Sequence, residues 1–135
     1  MPDAEPEPLV VDASTIVETL LSTDIGSAAS AVMRDRQLHA PAHLDAEVLS
    51  ALGRLHRAGE LDARTVETRL RDLALAPIAR HPLAGLLAGA WSAREQLRLV
   101  DALYVELTRS LGCRLLTADA RLARATQLAD VVAPR

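Results

Sequence analysis

Two rhythms of apolar residues alternate along the chain. Short unbroken runs such as Leu9-Val10-Val11 and Leu115-Leu116 suit strands buried on both faces. Longer stretches bring an apolar residue back every three or four positions, which is the spacing of a helix with one buried face. Leu44, Val48, Leu52 and Leu55 predict a helix over 43–57, ended by Gly59, and Val66, Leu70 and Leu73 predict another over 61–75. Val100, Leu103, Tyr104, Leu107 and Leu111 share one face of a third over 99–111, with Gly112 in the usual C-terminal position. Thr15 followed by Glu18 matches a capping box and predicts a helix start there, running to about Leu21, with a further helix over 25–34. Pro82 opens a helix reaching Arg94, and a short helix covers 120–125. Besides 9–11 and 114–117, strands are expected at 37–40, stopped by Pro41, at 77–79 and at 131–132. Strands alternating with helices imply an α/β fold, a mostly parallel sheet of about five short strands flanked by helices.

Length and composition sharpen this. At 135 residues the chain is long enough for one domain with a proper core. Residues 1–8, acidic and proline-rich, read as a flexible tail, and 9–135 as the single domain. Half the residues are apolar, yet Phe is absent and Trp91 and Tyr104 stand alone, so the core must be Leu, Val, Ile and Ala. There is no Lys and no Asn, and all 15 basic residues are Arg, the bias of a GC-rich genome. The missing lysine excludes a Walker A loop, a Schiff-base enzyme and a protein kinase. No G-x-G-x-x-G occurs, which argues against dinucleotide binding. Cys113 is the only cysteine, so no intramolecular disulfide and no Cys-based zinc site is suggested. No signal-like or membrane-spanning apolar stretch is visible, and a cytoplasmic protein is expected.

The candidate chemistry lies in four acids. Asp12 and Asp119 follow predicted strands, and ligand crevices in parallel sheets form beyond the strands' carboxyl ends. Asp101 borders the apolar face of its helix, where a carboxylate is partly desolvated and needs a partner such as Arg98. Glu47 and Asp45 fall on opposite flanks of the helix over 43–57, and the helical wheel leaves the choice open. Each acid alone has a plainer explanation: Asp12 and Asp119 could only cap helices, and Arg121 could pair with Asp119. Converging carboxylates repel one another unless a cation sits among them, most simply a hard divalent ion bound through oxygen. The net charge of −3 includes Asp3, Glu5, Glu7 and these four acids; the remainder is 11 acids against 15 arginines, +4. An RNA partner is therefore permitted.

The segments Val10-Val11-Asp12-Ala13-Ser14 and Leu44-Asp45-Ala46-Glu47-Val48 resemble the first two motifs of PIN-domain ribonucleases. The stretch from Val100-Asp101-Ala102-Leu103-Tyr104 through Leu115-Leu116-Thr117-Ala118-Asp119-Ala120-Arg121-Leu122 is similar to the C-terminal half of VapC-type toxins of toxin–antitoxin pairs. Thr108 departs from the small apolar residue usual there. The resemblance implies a three-layer PIN-like fold and endonucleolytic RNA cleavage by metal-activated water. It implies an acidic site of Asp12, Glu47, Asp101 and Asp119 holding Mg²⁺ or Mn²⁺, with Thr117 and Ser14 in support. It selects Glu47 over Asp45, and it implies a VapB-like antitoxin and a homodimer. The alternatives are a catalytically inactive PIN-like module that binds RNA or protein and a receiver-type phosphoacceptor, although the latter generally needs a lysine.

Several residues have a plain and a functional reading. His43 and Glu47 are spaced to share a metal, but a helix-start histidine is the commoner explanation; His39, His56 and His81 carry no motif. Trp91 is expected in the core rather than stacked on a base, and Tyr104 in the core with its hydroxyl toward the site. Arg54, Arg57, Arg64, Arg69 and Arg71 lie on a helical hairpin, where they could touch phosphates or simply pair with Glu60 and Glu67.

Overall fold

The protein is described by a computed structural model covering residues 5–133. Strand β1 (Pro8–Val11) is central in a five-stranded sheet of order β3-β2-β1-β4-β5, with β2 at Gln37–Pro41, β3 at Ile78–His81, β4 at Arg114–Thr117 and β5 at Ala129–Val131. All neighbouring strands are parallel, and Val10 of β1 lies between His39 of β2 and Leu115 of β4. Helices α1 (Ala13–Leu20) and α2 (Asp24–Met33) join β1 to β2, and α3 (Leu44–Arg57) and α4 (Ala63–Leu75) join β2 to β3. A 3₁₀ turn at Ala84–Leu86, α5 (Leu87–Ser92) and α6 (Leu99–Leu111) carry the chain back across the sheet to β4, and α7 (Ala120–Ala125) leads to β5. Because crossovers between parallel strands are right-handed, the outward and the returning helices cover opposite faces. The result is the three-layer PIN-like α/β fold. Val10, Val11 and Leu115 are fully buried between the layers with Leu44, Val48 and Leu52 of α3 and Tyr104 of α6.

The order of the sheet reverses at the β1–β4 pair, since β2 and β3 extend to one side and β4 and β5 to the other. Beyond the carboxyl ends of such a pair the flanking connections diverge and leave a crevice.

Several boundaries differ from the sequence expectation. Helix α1 is capped by Asp12, not by Thr15, because the Asp12 carboxylate reaches the Thr15 amide first. The Thr15 hydroxyl instead donates to the Leu116 carbonyl (3.0 Å), and Glu18 accepts from the Thr23 hydroxyl. Helix α4 starts at Ala63, after the Asp62 side chain caps it. The expected helix over 82–94 shrinks to the 3₁₀ turn and the six residues of α5. Glycines at 85 and 89 weaken this stretch. A Cβ at Gly89 would lie 2.1–2.6 Å from the Glu106 carboxylate, so the Glu106 side chain takes the space that this glycine leaves open. Val100, placed on the apolar face by the wheel, is 42% exposed. β1 begins at Pro8, inside the expected tail, and the Glu7 carbonyl accepts from the Gln37 amide; residues 1–4 of that tail lie outside the described residues.

Candidate functional site

Asp12 emerges from β1 into the crevice and is 5% exposed. Its Oδ1 accepts from the Ser14 hydroxyl (2.7 Å) and the Thr15 amide (3.0 Å), and its Oδ2 accepts from the hydroxyl of Thr117 (2.5 Å), which ends β4. The acid therefore caps a helix and lines the crevice at once. Ser14 in turn accepts from the Ala118 amide (3.0 Å), and Thr117 accepts from the Asp119 amide (3.0 Å). The two strand ends are thus stitched together through hydroxyls. Burial raises the pKa of Asp12 above the ordinary carboxylate value, against the opposing pull of the bonds from Thr117, Thr15 and Ser14. Among the described residues no basic side chain is ion-paired with it.

Glu47 projects from the first turn of α3 and accepts from the Tyr104 hydroxyl of α6 (2.7 Å). Tyr104 is 1% exposed, as the sequence suggested, with its hydroxyl turned to the site. Burial and the neighbouring Glu47 and Asp12 all raise its pKa, so the phenol stays protonated and donates. His43 packs its ring on Tyr104 and places Nε2 3.1 Å from the Val100 carbonyl and 3.4 Å from Glu47. A carbonyl can only accept, so Nε2 carries the proton and is not free to ligate. Asp45, the competitor of Glu47, faces the other way and pairs with Arg80 (3.0 Å). Arg80 also donates to the Leu73, Ala76 and Ile78 carbonyls, so Asp45 belongs to a structural clamp on the end of α4.

Asp101 lies in the first turn of α6 and Asp119 caps α7. The Arg121 Nη2 is 3.0 Å from Asp119 and 3.6 Å from Asp101 Oδ2, and Arg98 Nε approaches the same Asp101 oxygen at 3.2 Å. Burial disfavours the Asp119 charge, but the Arg121 side chain and the Arg121 and Leu122 amides outweigh it and hold the pKa below the usual value.

The crevice therefore gathers Asp12, Ser14, Thr117 and Asp119 directly, reaches Glu47 through Tyr104, and reaches Asp101 through Arg121. Sequence reasoning recognised Arg121 as a partner for Asp119 but not for Asp101. That second contact joins helices distant in the chain and leaves no local signature. The donor chemistry suits a hard cation, since all four acids offer oxygen and no thiolate is present. The spacing is less accommodating: among the described residues no three Asp, Glu, His or Cys side chains are drawn together closely enough to share an ion. Arginines supply the counter-charge for Asp101 and Asp119 instead.

Two other expectations change. Trp91 is 58% exposed rather than core, and the Arg94 guanidinium lies over its ring at 4.7 Å. On the α3–α4 hairpin Arg69 pairs with Asp72 and Arg54 with Ser50, and among the described residues Glu60 and Glu67 form no ion pair.

The chain matches the model of the PIN domain family over residues 9–128. It is 53% identical to Ribonuclease VapC3 of Mycobacterium tuberculosis over 132 residues, covering 97% of this chain and 96% of that one. Ribonuclease VapC9 of the same organism is 39% identical over 84% of this chain and 87% of its own length. Among solved structures, PAE2754 from Pyrobaculum aerophilum superposes with a TM-score of 0.69 at 26% identity, covering 93% of this chain and 84% of that one. With the fold, the motifs and the relatives in agreement, the chain belongs to the PIN-domain family and within it to the VapC ribonucleases.

Proposed function

We propose that this protein is a metal-dependent endoribonuclease, the VapC-like toxin of a toxin–antitoxin pair. The observation that carries this reading is Asp12. It is a buried carboxylate at the sheet's switch point, held by three donors, and no basic side chain among the described residues neutralises it. Burying a charge is costly without a partner of opposite sign, and a divalent cation in the crevice would be that partner.

In this reading Asp12, Glu47, Asp101 and Asp119 hold Mg²⁺ or Mn²⁺. The bound ion would polarise a phosphate oxygen and lower the pKa of its water. The chain's own contribution is positional. Thr117 and Ser14 fix both oxygens of Asp12, and Tyr104 fixes one oxygen of Glu47. One of the four acids would also accept the proton of the attacking water.

The partners belong to the same proposal: RNA as substrate, a VapB-like antitoxin and a second copy of the chain. Leu49 and Leu75 on α3 and α4, and Leu87, Trp91, Leu99 and Val100 on α5 and α6, are exposed apolar side chains available to protein partners. No helix among the described residues is long and apolar enough to cross a membrane. In the same proposal the protein acts in the cytoplasm, on RNA made there. The second reading, a catalytically inactive PIN-like module, is favoured by one observation, the engagement of Asp101 and Asp119 by Arg121.

RNA cleavage with and without Mg²⁺ or Mn²⁺ separates the two. The wild type should cut only with metal. Asp12→Asn and Asp101→Asn should each lose roughly 100-fold or more of that activity while remaining folded, since even groups that merely support metal ligands cost 10- to 100-fold. Variants that cut as well as the wild type would overturn the assignment.

A further inference from the structure

Asp101 and Asp119 sit on different helices, yet a single nitrogen, Nη2 of Arg121, lies within 3.6 Å of one and 3.0 Å of the other. This guanidinium does for the pair what a metal ion would do, which is to offset two carboxylates that would otherwise repel. We propose that Arg121 is an internal competitor of the divalent ion, bridging Asp101 and Asp119 and leaving them when the ion binds.

This inference rests on the metal-dependent reading above and explains why that reading and the observed spacing disagree. Several features make the exchange feasible. The Arg121 side chain is 53% exposed, so it has solvent to move into. Its backbone is held separately, because the Arg121 amide donates to Asp119 Oδ1 (2.9 Å) and α7 remains capped when the side chain swings away. Arg121 borders a small cleft lined also by Gln96, Arg98, Asp101 and Leu122, which gives it room beside Asp101. Among the described residues Arg98 pairs with Asp101 alone and so does not form the bridge. A divalent ion carries twice the charge and approaches oxygen more closely than a guanidinium does, so it wins at sufficient concentration.

Binding linkage makes the exchange measurable without any RNA. If Arg121 and the ion compete, removing the guanidinium must tighten ion binding, and it must also destabilise the ion-free protein more than the ion-bound one. The test uses the full chain. Mn²⁺ is titrated calorimetrically into the wild type, Arg121→Gln, Arg64→Gln and Asp12→Asn, and thermal unfolding of each is followed in EDTA and in saturating Mn²⁺. Arg64 is an exposed arginine on α4, so its variant controls for the change in net charge.

Two partly exposed ion pairs are lost in Arg121→Gln, and its Mn²⁺ affinity should rise by roughly 3- to 10-fold. Its Tm should fall in EDTA and rise more steeply with Mn²⁺ than that of the wild type. Unchanged or weaker Mn²⁺ binding by Arg121→Gln, beside a wild type that binds and an Asp12→Asn that does not, would overturn the competition and leave the metal reading standing. Equal tightening in Arg64→Gln would also overturn it, by reducing the effect to net charge. If neither the wild type nor Arg121→Gln binds Mn²⁺, both readings fail.

Discussion

Thr117→Val removes one hydroxyl from the middle of the site and leaves a side chain of nearly the same shape. Thr117 is fully buried and Asp12 is 5% exposed, so no solvent replaces the bond between them. The hydroxyl donates to Asp12 Oδ2 at 2.5 Å and accepts from the Asp119 amide at 3.0 Å. A hydrogen bond to a charged group contributes about 1.5–3 kcal/mol. The Asp119 amide is left without its acceptor, but Asp119 is partly exposed and water can recover much of that loss. A net destabilisation of about 2–4 kcal/mol at neutral pH follows from these two terms. Its pH dependence identifies the partner. The bond favours the ionised form of Asp12, so deleting it pushes an already raised pKa further up. Asp12 binds its proton more tightly folded than unfolded, so its charge costs stability as pH rises from the ordinary 3.8 through the folded value. Above that window the variant bears the whole loss. Below it the carboxyl is neutral in both proteins, and the difference shrinks to that of a neutral bond, about 1 kcal/mol. Urea unfolding at several pH values reads this directly, with the slope m checked for constancy. A difference that is independent of pH would show that the bond to Asp12 does not matter, and Thr117→Ser should restore the wild-type profile.

Three further outcomes are expected. Gly26→Ala in α2 would set a Cβ 2.0 Å from the Glu18 carbonyl of α1, and the forced separation of the two helices should cost about 1–3 kcal/mol in urea unfolding. His39 and His81 share a hydrogen bond of 2.8 Å across β2 and β3, and burial, then the neighbouring His81, lower the His39 pKa below 6.5. The unfolded chain therefore takes up a proton at 6.5 that the folded one refuses; stability should be full above that pH and fall as acid is added, and His39→Gln should flatten that part of the curve. Tyr104→Phe should leave the fold intact and weaken Mn²⁺ binding by roughly 10-fold, measured calorimetrically, since it frees the Glu47 oxygen held at 2.7 Å.

The sequence made some of this legible because the relevant physics is local. Gly112 adopts the left-handed conformation (φ 63°) that ends α6, as its position after Leu111 suggested. The run Leu115-Leu116-Thr117 is buried on both faces, as an unbroken apolar run in a central strand must be. Other features depend on contacts between distant segments. Asp12 and Thr15 competed for the same helix start; the Asp12 carboxylate takes the Thr15 amide, and the Thr15 hydroxyl reaches across to Leu116 on β4 instead. The wheel could not separate Glu47 from Asp45, because the choice depends on Tyr104 standing over one and Arg80 over the other. Trp91 looked like core by residue type, yet α5 turns Ala90 inward and leaves Trp91 58% exposed.

The central claim is that the acids at the β1–β4 switch point surround a divalent cation. Anomalous scattering from crystals soaked in Mn²⁺ measures this most directly. A manganese peak is expected at about 2.0–2.4 Å from an Asp12 carboxylate oxygen, with Asp101 turned toward it and Arg121 withdrawn. A peak far from Asp12, or none at saturating Mn²⁺ with the Arg121 bridge intact, would contradict it.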